Sequence, residues 1–422
     1  MRLTFKEVKD EIAKIVPKSI NYKVGLEAGD IAIVTDVPKQ FGGGDGLVGK
    51  IAKKIKRRVK IRPDPSIIKP EQEAKSIIES IIPEEAEISQ IYFDGCFSEV
   101  IIQCHNPGEA VGRKGANVNE IRDKSGWIPI VERTPPLLSK TVHDIRGYRQ
   151  ANVEERRKLL KDFGLNMHRP KRPGSTWARV TALGSYREVG RACHLVTTNE
   201  SRIMIDVGVN VANDLDPMPF FNAPEALPID KLDAVILTHA HLDHAGMLPV
   251  LFKYGYRGPV FCTPPTRDLM LLLQSDYLKI SGSEGKVSPY SMEDIRTCQR
   301  HVIDVAWDQT TDIAPDIKMT FSNSGHILGS SAVHLHIGDG KHNLLFSGDQ
   351  KYEKSWLFDA ANTRFPKVES LVLESTYGSE GDYQPSRQEA NQELVDIVSR
   401  TISRGGKMIF PVFAVGRSQE VM

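Results

Sequence analysis

The chain has 422 residues, 40% hydrophobic and 26% charged, which is ordinary for globular protein but too long for one domain. No apolar run of about 18 residues occurs, which excludes a transmembrane helix, and the start, MRLTFKEVKDEIAKIV, lacks the unbroken apolar centre of a signal peptide. The five cysteines (Cys96, Cys104, Cys193, Cys262, Cys298) are scattered with no C-x-x-C pair, so no disulfide scaffold or cysteine zinc knuckle is expected and a reducing cytoplasm fits. Net charge is only +1, yet residues 1–175 carry 32 Lys and Arg against 24 Asp and Glu, while residues 176–422 carry 23 against 30. A basic front joined to an acidic back suggests a polyanion-binding module attached to a second activity.

In chain order, residues 1–68 and 69–140 read as two related α+β units. Gly46-Leu-Val-Gly49 and Gly112-Arg113-Lys114-Gly115 each open a short helix and then a strand ended by prolines. In the first unit Leu47, Ile51, Ile55 and Val59 recur every four residues, as on one apolar helix face. Upstream of the second, IYFDGCFSEVIIQC alternates as a strand does. Gly112, Arg113, Lys114 and Gly115 match an RNA-binding KH loop, whose glycines admit a close backbone and whose cations meet phosphates. The first loop has no cation; Lys50, Lys53, Lys54, Lys56, Arg57 and Arg58 follow it, as backbone contacts or as a solvated face.

Residues 141–175 read as a linker, with ANVEERRKLLKDFG a polar helix whose Arg156, Arg157, Lys158 and Lys161 form its solvated side, and HRPKRPGS a breaker. From about residue 176 the strands RIMIDVG, DAVILTH, HNLLFSGD and SLVLEST alternate with other segments, the pattern of an α/β layered domain. They end in Asp206, His239, Asp349 and Glu374, and strand ends are where such folds gather their sites. The densest signal is Thr238-His239-Ala240-His241-Leu242-Asp243-His244. His239 and His241, two apart at a strand end, can converge on one metal, and Asp243 and His244 point to a second position. Imidazole with carboxylate suits a catalytic zinc. His334 and His336 alternate on a strand without an acidic neighbour and are left outside the site.

The H-x-H-x-D-H block, preceded by Asp206 and followed by His326 in Ser-Gly-His-Ile-Leu-Gly and by Asp349 in Phe-Ser-Gly-Asp, resembles the metallo-β-lactamase superfamily. That implies an αββα sandwich over residues 176–378, with His239, His241 and His326 on one zinc, Asp243 and His244 on a second, Asp349 bridging, and Asp206 orienting a ligand from behind. Glu374-Ser-Thr-Tyr-Gly378 and Pro411-Val-Phe-Ala-Val-Gly-Arg-Ser-Gln-Glu420 resemble the β-CASP insertion of nucleic-acid-cutting members, which would begin at residue 379. With KH-like units in front, the chain resembles the archaeal branch of the cleavage and polyadenylation specificity factor nucleases.

The resemblance implies a zinc-dependent ribonuclease in which Asp243 or Asp349 orients a water and Glu374 works at the leaving-group side. It would be an endonuclease on single-stranded RNA in 3′-end processing or transcription termination. Implied partners are single-stranded RNA, a second copy of the chain, and RNA polymerase or processing factors, with no membrane. Alternatives are a 5′-to-3′ exoribonuclease, a non-catalytic RNA-binding subunit, and a small-molecule hydrolase such as a thioesterase, which the KH-like units disfavour. The family carries two further histidine motifs after the insert, whereas no histidine follows His342. The expectation is therefore a chain ending inside its insert, with a second zinc one ligand short and impaired activity on its own.

Overall fold

A computed structural model describes residues 3–42, 46–135, 139–170, 177–213 and 215–422. The expected breaker, and with it the boundary at 175 and 176, falls largely on residues 171–176, outside the described residues.

Helix Phe5–Ile15 is capped by Thr4, whose hydroxyl accepts from the Glu7 amide while the Glu7 carboxylate accepts from the Thr4 amide. It lays Val8 and Ile12, one turn apart, on a sheet of strands Tyr22–Glu27, Asp30–Thr35 and Val59–Pro63. Helix Leu47–Ile55 adds Ile51 and Ile55, both buried. The second unit repeats this plan: helices Glu71–Ile81 and Ala116–Ser125 cover strands Ile88–Asp94, Glu99–Cys104 and Ile128–Arg133. In both sheets the first strand pair is antiparallel and the second parallel.

Two local readings differ. The run IYFDGCFSEVIIQC is a hairpin of two strands, because Asp94–Glu99 pair across a turn with Ser98 at φ +56°. Gly46-Leu-Val-Gly49 is the first turn of a helix with Gly46 as N-cap, so the resemblance to Gly112–Gly115 is one of position only. The latter is a single 3-10 turn, with Lys114 at φ +52°, between helices Pro107–Val111 and Ala116–Ser125. Gly112 and Gly115 stand at φ +72° and +77°, and a β-carbon on Gly112 would sit 2.8 Å from the Asn117 side chain. The turn leaves Arg113 and Lys114 exposed.

Helices Lys140–Ala151 and Val153–Met167 follow. Arg156 is not on a solvated face. It is 4% exposed, and its Nη1 donates to both oxygens of Asp94 at 3.1 Å, tying the helix to the second unit. Leu160 accepts from the Ala28 amide of the first unit, and Phe163 and Met167 enter the core of the back domain. Arg62 joins the two front units, with Nε and Nη2 on Glu27 and Nη1 on Glu99, all at 2.8 Å.

The back domain is a sandwich. One sheet holds Ala178–Gly184, Cys193–Thr198, Arg202–Ile205, Ala234–Ile236, Val260–Cys262 and Val302–Asp304, parallel from the third strand on. The other holds Thr310–Ala314, Ile317–Asn323, Ser331–Ile337, His342–Phe346 and Ser370–Val372. Alternate residues of both sheets meet in the middle, Ile203, Ile205 and Phe261 against Phe321, Val333 and Phe346. The opposite face of the first sheet, including Met204, Val235 and Cys262, lies under helices Leu248–Lys253, Pro264–Ser283 and Met292–Arg300. All five cysteines are buried and free.

Candidate metal centre

The strand ends converge where two sheets meet. Asp206 follows Ile205 directly, His239 lies three residues past Ile236, and Asp349 three past Phe346. Among the described residues, two groups of potential ligands form. His239, His241, His326 and Asp349 place one donor atom each within 4.8 Å of one another, and so do His239, Asp243 and His244.

In the first group His239 Nε2 lies 3.2 Å from His241 Nδ1, which lies 3.1 Å from His326 Nε2. The outer nitrogens fix which atom is which. Thr238 Oγ1 donates to Asp206 Oδ2 at 2.8 Å and so accepts from His239 Nδ1 at 3.0 Å, leaving His239 Nε2 a bare lone pair. His241 Nε2 donates to the Val415 carbonyl at 3.1 Å, leaving Nδ1 bare. Bare lone pairs facing each other repel unless a cation sits between them. A tetrahedral zinc with bonds of about 2.0–2.1 Å spaces its ligands about 3.3–3.4 Å apart, close to what is seen. The donor set therefore fits a metal ion.

Asp349 belongs to the first group and also reaches His244 of the second. Its Oδ2 lies 3.5 Å from His326 Nε2 and 3.9 Å from His239 Nε2, and its Oδ1 lies 3.1 Å from His244 Nε2. Burial alone would raise its pKa, but the imidazoles of His244, His239 and His326 outweigh burial and hold the carboxyl far below the usual range. Burial opposes a charge on His244, yet Asp349 and Asp206 on either side push its pKa well up. Together these groups call for positive charge between them. Burial first, then the neighbouring imidazoles, lowers His239 well below normal. Burial also brings His326 down to about 4, with Arg417 among the opposing charges. Both shifts favour the neutral imidazole that a metal ligand needs.

Asp206 sits behind the centre, 2% exposed, accepting from the Thr238 amide, the Thr238 hydroxyl and His244 Nδ1, each at 2.8 Å. Glu374 lies outside both groups. Its carboxylate accepts from the amides of Gln350 and Thr376, which ties it to the turn carrying Asp349. Asp243 Oδ2 stands 3.8 Å from His244 Nε2. His334 and His336 are committed elsewhere, to the Lys367 carbonyl and to Asn343 and Thr320. Sequence reasoning missed Thr238, which its place beside His239 offered, and Val415, whose one trace in the sequence is the glycine that follows it.

Comparison with known proteins agrees with this geometry. Residues 195–372 match the metallo-β-lactamase superfamily domain. Residues 195–372 therefore carry the metallo-β-lactamase fold. Residues 2–68 match the KH domain of transcription termination factor FttA, so the front unit without a cationic loop is itself a KH domain. Over nearly its whole length the chain is similar to proteins named transcription termination factor FttA. It is 47% identical to that of Methanosarcina mazei over 99% of this chain and 66% of the relative. Identity is 46% to that of Methanothermobacter thermautotrophicus over the same shares, and 43% to that of a Lokiarchaeum over 100% and 66%. The chain thus spans 66% of the length of these curated relatives. No described helix is long and apolar enough to cross a membrane.

Proposed function

We propose that this chain belongs to a zinc-dependent ribonuclease that cuts single-stranded RNA internally during transcription termination. One observation carries the reading: three imidazoles and a carboxylate converge within 4.8 Å, and a second histidine and aspartate group shares the same edge. His239, His241, His326 and Asp349 would hold one zinc ion, and Asp243, His244 and Asp349 another. Bound zinc supplies Lewis acidity toward a phosphodiester and brings the acidity of a water toward neutral pH.

The chain's own residues do the rest. Asp349 stays ionised and presents one oxygen to each position. Thr238 and Asp206 hold the protons of His239 and His244 on the nitrogens facing away from the centre. Asp243, beside His244, would orient the attacking water. Glu374 holds the Asp349 turn by its Gln350 contact, and acts on the leaving-group side through that turn. Arg113 and Lys114 would hold RNA phosphates ahead of the cleft. A second copy of the chain and RNA polymerase or processing factors would be its partners in this role.

The test uses internally labelled and 5′-labelled single-stranded RNA with added zinc, on this chain beside the full-length Methanosarcina mazei relative. Internal fragments that vanish in a His239→Ala, His241→Ala double variant support the reading. Mononucleotides released stepwise from the 5′ end would replace it with an exonuclease. Unchanged zinc content in the double variant would remove the metal assignment.

A further inference from the structure

The three histidines with assigned outer contacts are not held alike. His239 is steadied by Thr238 and His244 by Asp206, residues of the same strand ends. His241 is turned the other way. Its Nδ1 faces the centre, and its Nε2 reaches the backbone carbonyl of Val415, 174 positions along the chain. The Phe413 ring packs beside His241, with centroids 6.0 Å apart.

The turn that brings this carbonyl in is tightly self-bonded. The Gly416 amide donates to Gln419 Oε1 at 2.6 Å, Gln419 Nε2 donates to the Ala414 carbonyl at 2.9 Å, and Ser418 Oγ donates to the same carbonyl at 2.7 Å. Gly416 has φ +97° and ψ −82°. A β-carbon there would stand 2.6 Å from Ile327 Cγ2, in the residue next to His326. The turn therefore seats against the His326 loop through a position that only glycine fills without strain.

We propose that the 413–417 turn is a positioning element of the metal centre: the Val415 carbonyl fixes the His241 proton on Nε2, which frees Nδ1 for the metal, and Gly416 makes that approach possible. The inference rests on the reading of His239, His241, His326 and Asp349 as a metal site and goes beyond it. It has a thermodynamic corollary. If docking of the turn favours metal binding, metal binding favours docking of the turn by the same factor. The segment after the sandwich then reports whether the centre is filled.

The experiment measures zinc affinity by chelator competition for wild type, Gly416→Ala and His239→Ala. It adds long-range nitrogen–proton NMR of the imidazoles, and hydrogen exchange of residues 413–418 with and without zinc. Wild type should carry the His241 proton on Nε2, and zinc should slow exchange in the turn. Gly416→Ala should weaken zinc about 10–100-fold, the range for lost outer contacts. It should mix the His241 tautomers while leaving His239 and His244 in theirs, which general unfolding would not do. Should Gly416→Ala fail to fold, the wild-type tautomer and the zinc-dependent exchange still decide. A His241 proton on Nδ1, exchange indifferent to zinc, or full affinity in a folded Gly416→Ala each overturn the proposal. Zinc retained by His239→Ala would instead overturn the metal reading beneath it.

Discussion

Replacing Asp206 with Asn separates charge and hydrogen-bond polarity from shape at the centre of the site. Asp206 has φ +58°, in a region asparagine tolerates as readily as aspartate, so the backbone gives no confounding strain. The carboxylate accepts three hydrogen bonds, one on Oδ1 from the Thr238 amide and two on Oδ2, from the Thr238 hydroxyl and His244 Nδ1. An amide supplies one accepting oxygen. With that oxygen at the two-bond position, its NH₂ faces the Thr238 amide, and one donor confronts another. A buried unsatisfied donor costs about 1–3 kcal/mol. With the amide reversed, His244 Nδ1 confronts a donor and moves its proton to Nε2, the nitrogen that faces Asp349.

Either way His244 loses the anion behind it, and loss of such an outer partner typically lowers metal affinity about 10–100-fold. At about 1.4 kcal/mol per decade that is about 1.4–2.8 kcal/mol. Chelator competition with two-site analysis reads this directly. The Asp243 and His244 position should weaken most, because only that group contains His244. An Asp206→Asn protein that folds and holds both metals at wild-type affinity would refute the reasoning.

Three further outcomes are expected. Arg113→Asp with Lys114→Asp should weaken single-stranded RNA binding and lower its salt slope by about 0.7 per lost phosphate contact, with zinc content unchanged; an unaltered slope counts against the loop as the RNA contact. Arg62→Met should destabilise the junction of the front units by about 3–5 kcal/mol in urea titration, because Glu27 and Glu99 lose the guanidinium they share; a loss under about 1 kcal/mol would show that Lys60 and water replace it. Burial, helped by Arg257 and Arg300, pushes His301 down to about 4 from its ordinary 6.5. Its folded pKa lies below its unfolded one, so the stability it contributes is whole above about pH 6.5 and is lost as pH falls toward 4, by about 3 kcal/mol in all. His301→Gln should flatten that window of the acid denaturation curve, and an unchanged curve would assign the loss to other groups.

The two-unit front was legible because each level of the sequence agreed. Helices Phe5–Ile15 and Glu71–Ile81 begin and end at equivalent positions, and the glycines at 46 and 112 keep the same spacing. Local pattern failed where one residue changes the geometry of a run. Ser98 at positive φ breaks an alternating stretch into a hairpin, and Gly49 inside a helix looks the same in sequence as Gly115, which closes a tight turn before one. Arg156 was misread for a related reason. A charged residue on a polar helix is solvated unless something distant supplies its partner, and Asp94 lies 62 positions away.

The same limit separates the two halves of the metal centre. Ligand candidates cluster in sequence because a strand end and the turn after it can deliver several side chains to one point, and His239, His241, Asp243 and His244 share that origin. What fixes each ring is a hydrogen bond to its far nitrogen, and such bonds need not come from nearby chain. Thr238 is adjacent to His239, so its role follows from register alone. Asp206 is 38 positions from His244, yet it follows one strand directly while His244 sits in the short helix Leu242–Ala245 that follows the neighbouring parallel strand, so the sheet order brings them together. Val415 has neither adjacency nor a strand register, and it acts through a backbone carbonyl that every residue type possesses. No side-chain pattern can mark such a contact. Its one trace in the sequence is Gly416, whose backbone conformation would be strained with any other residue.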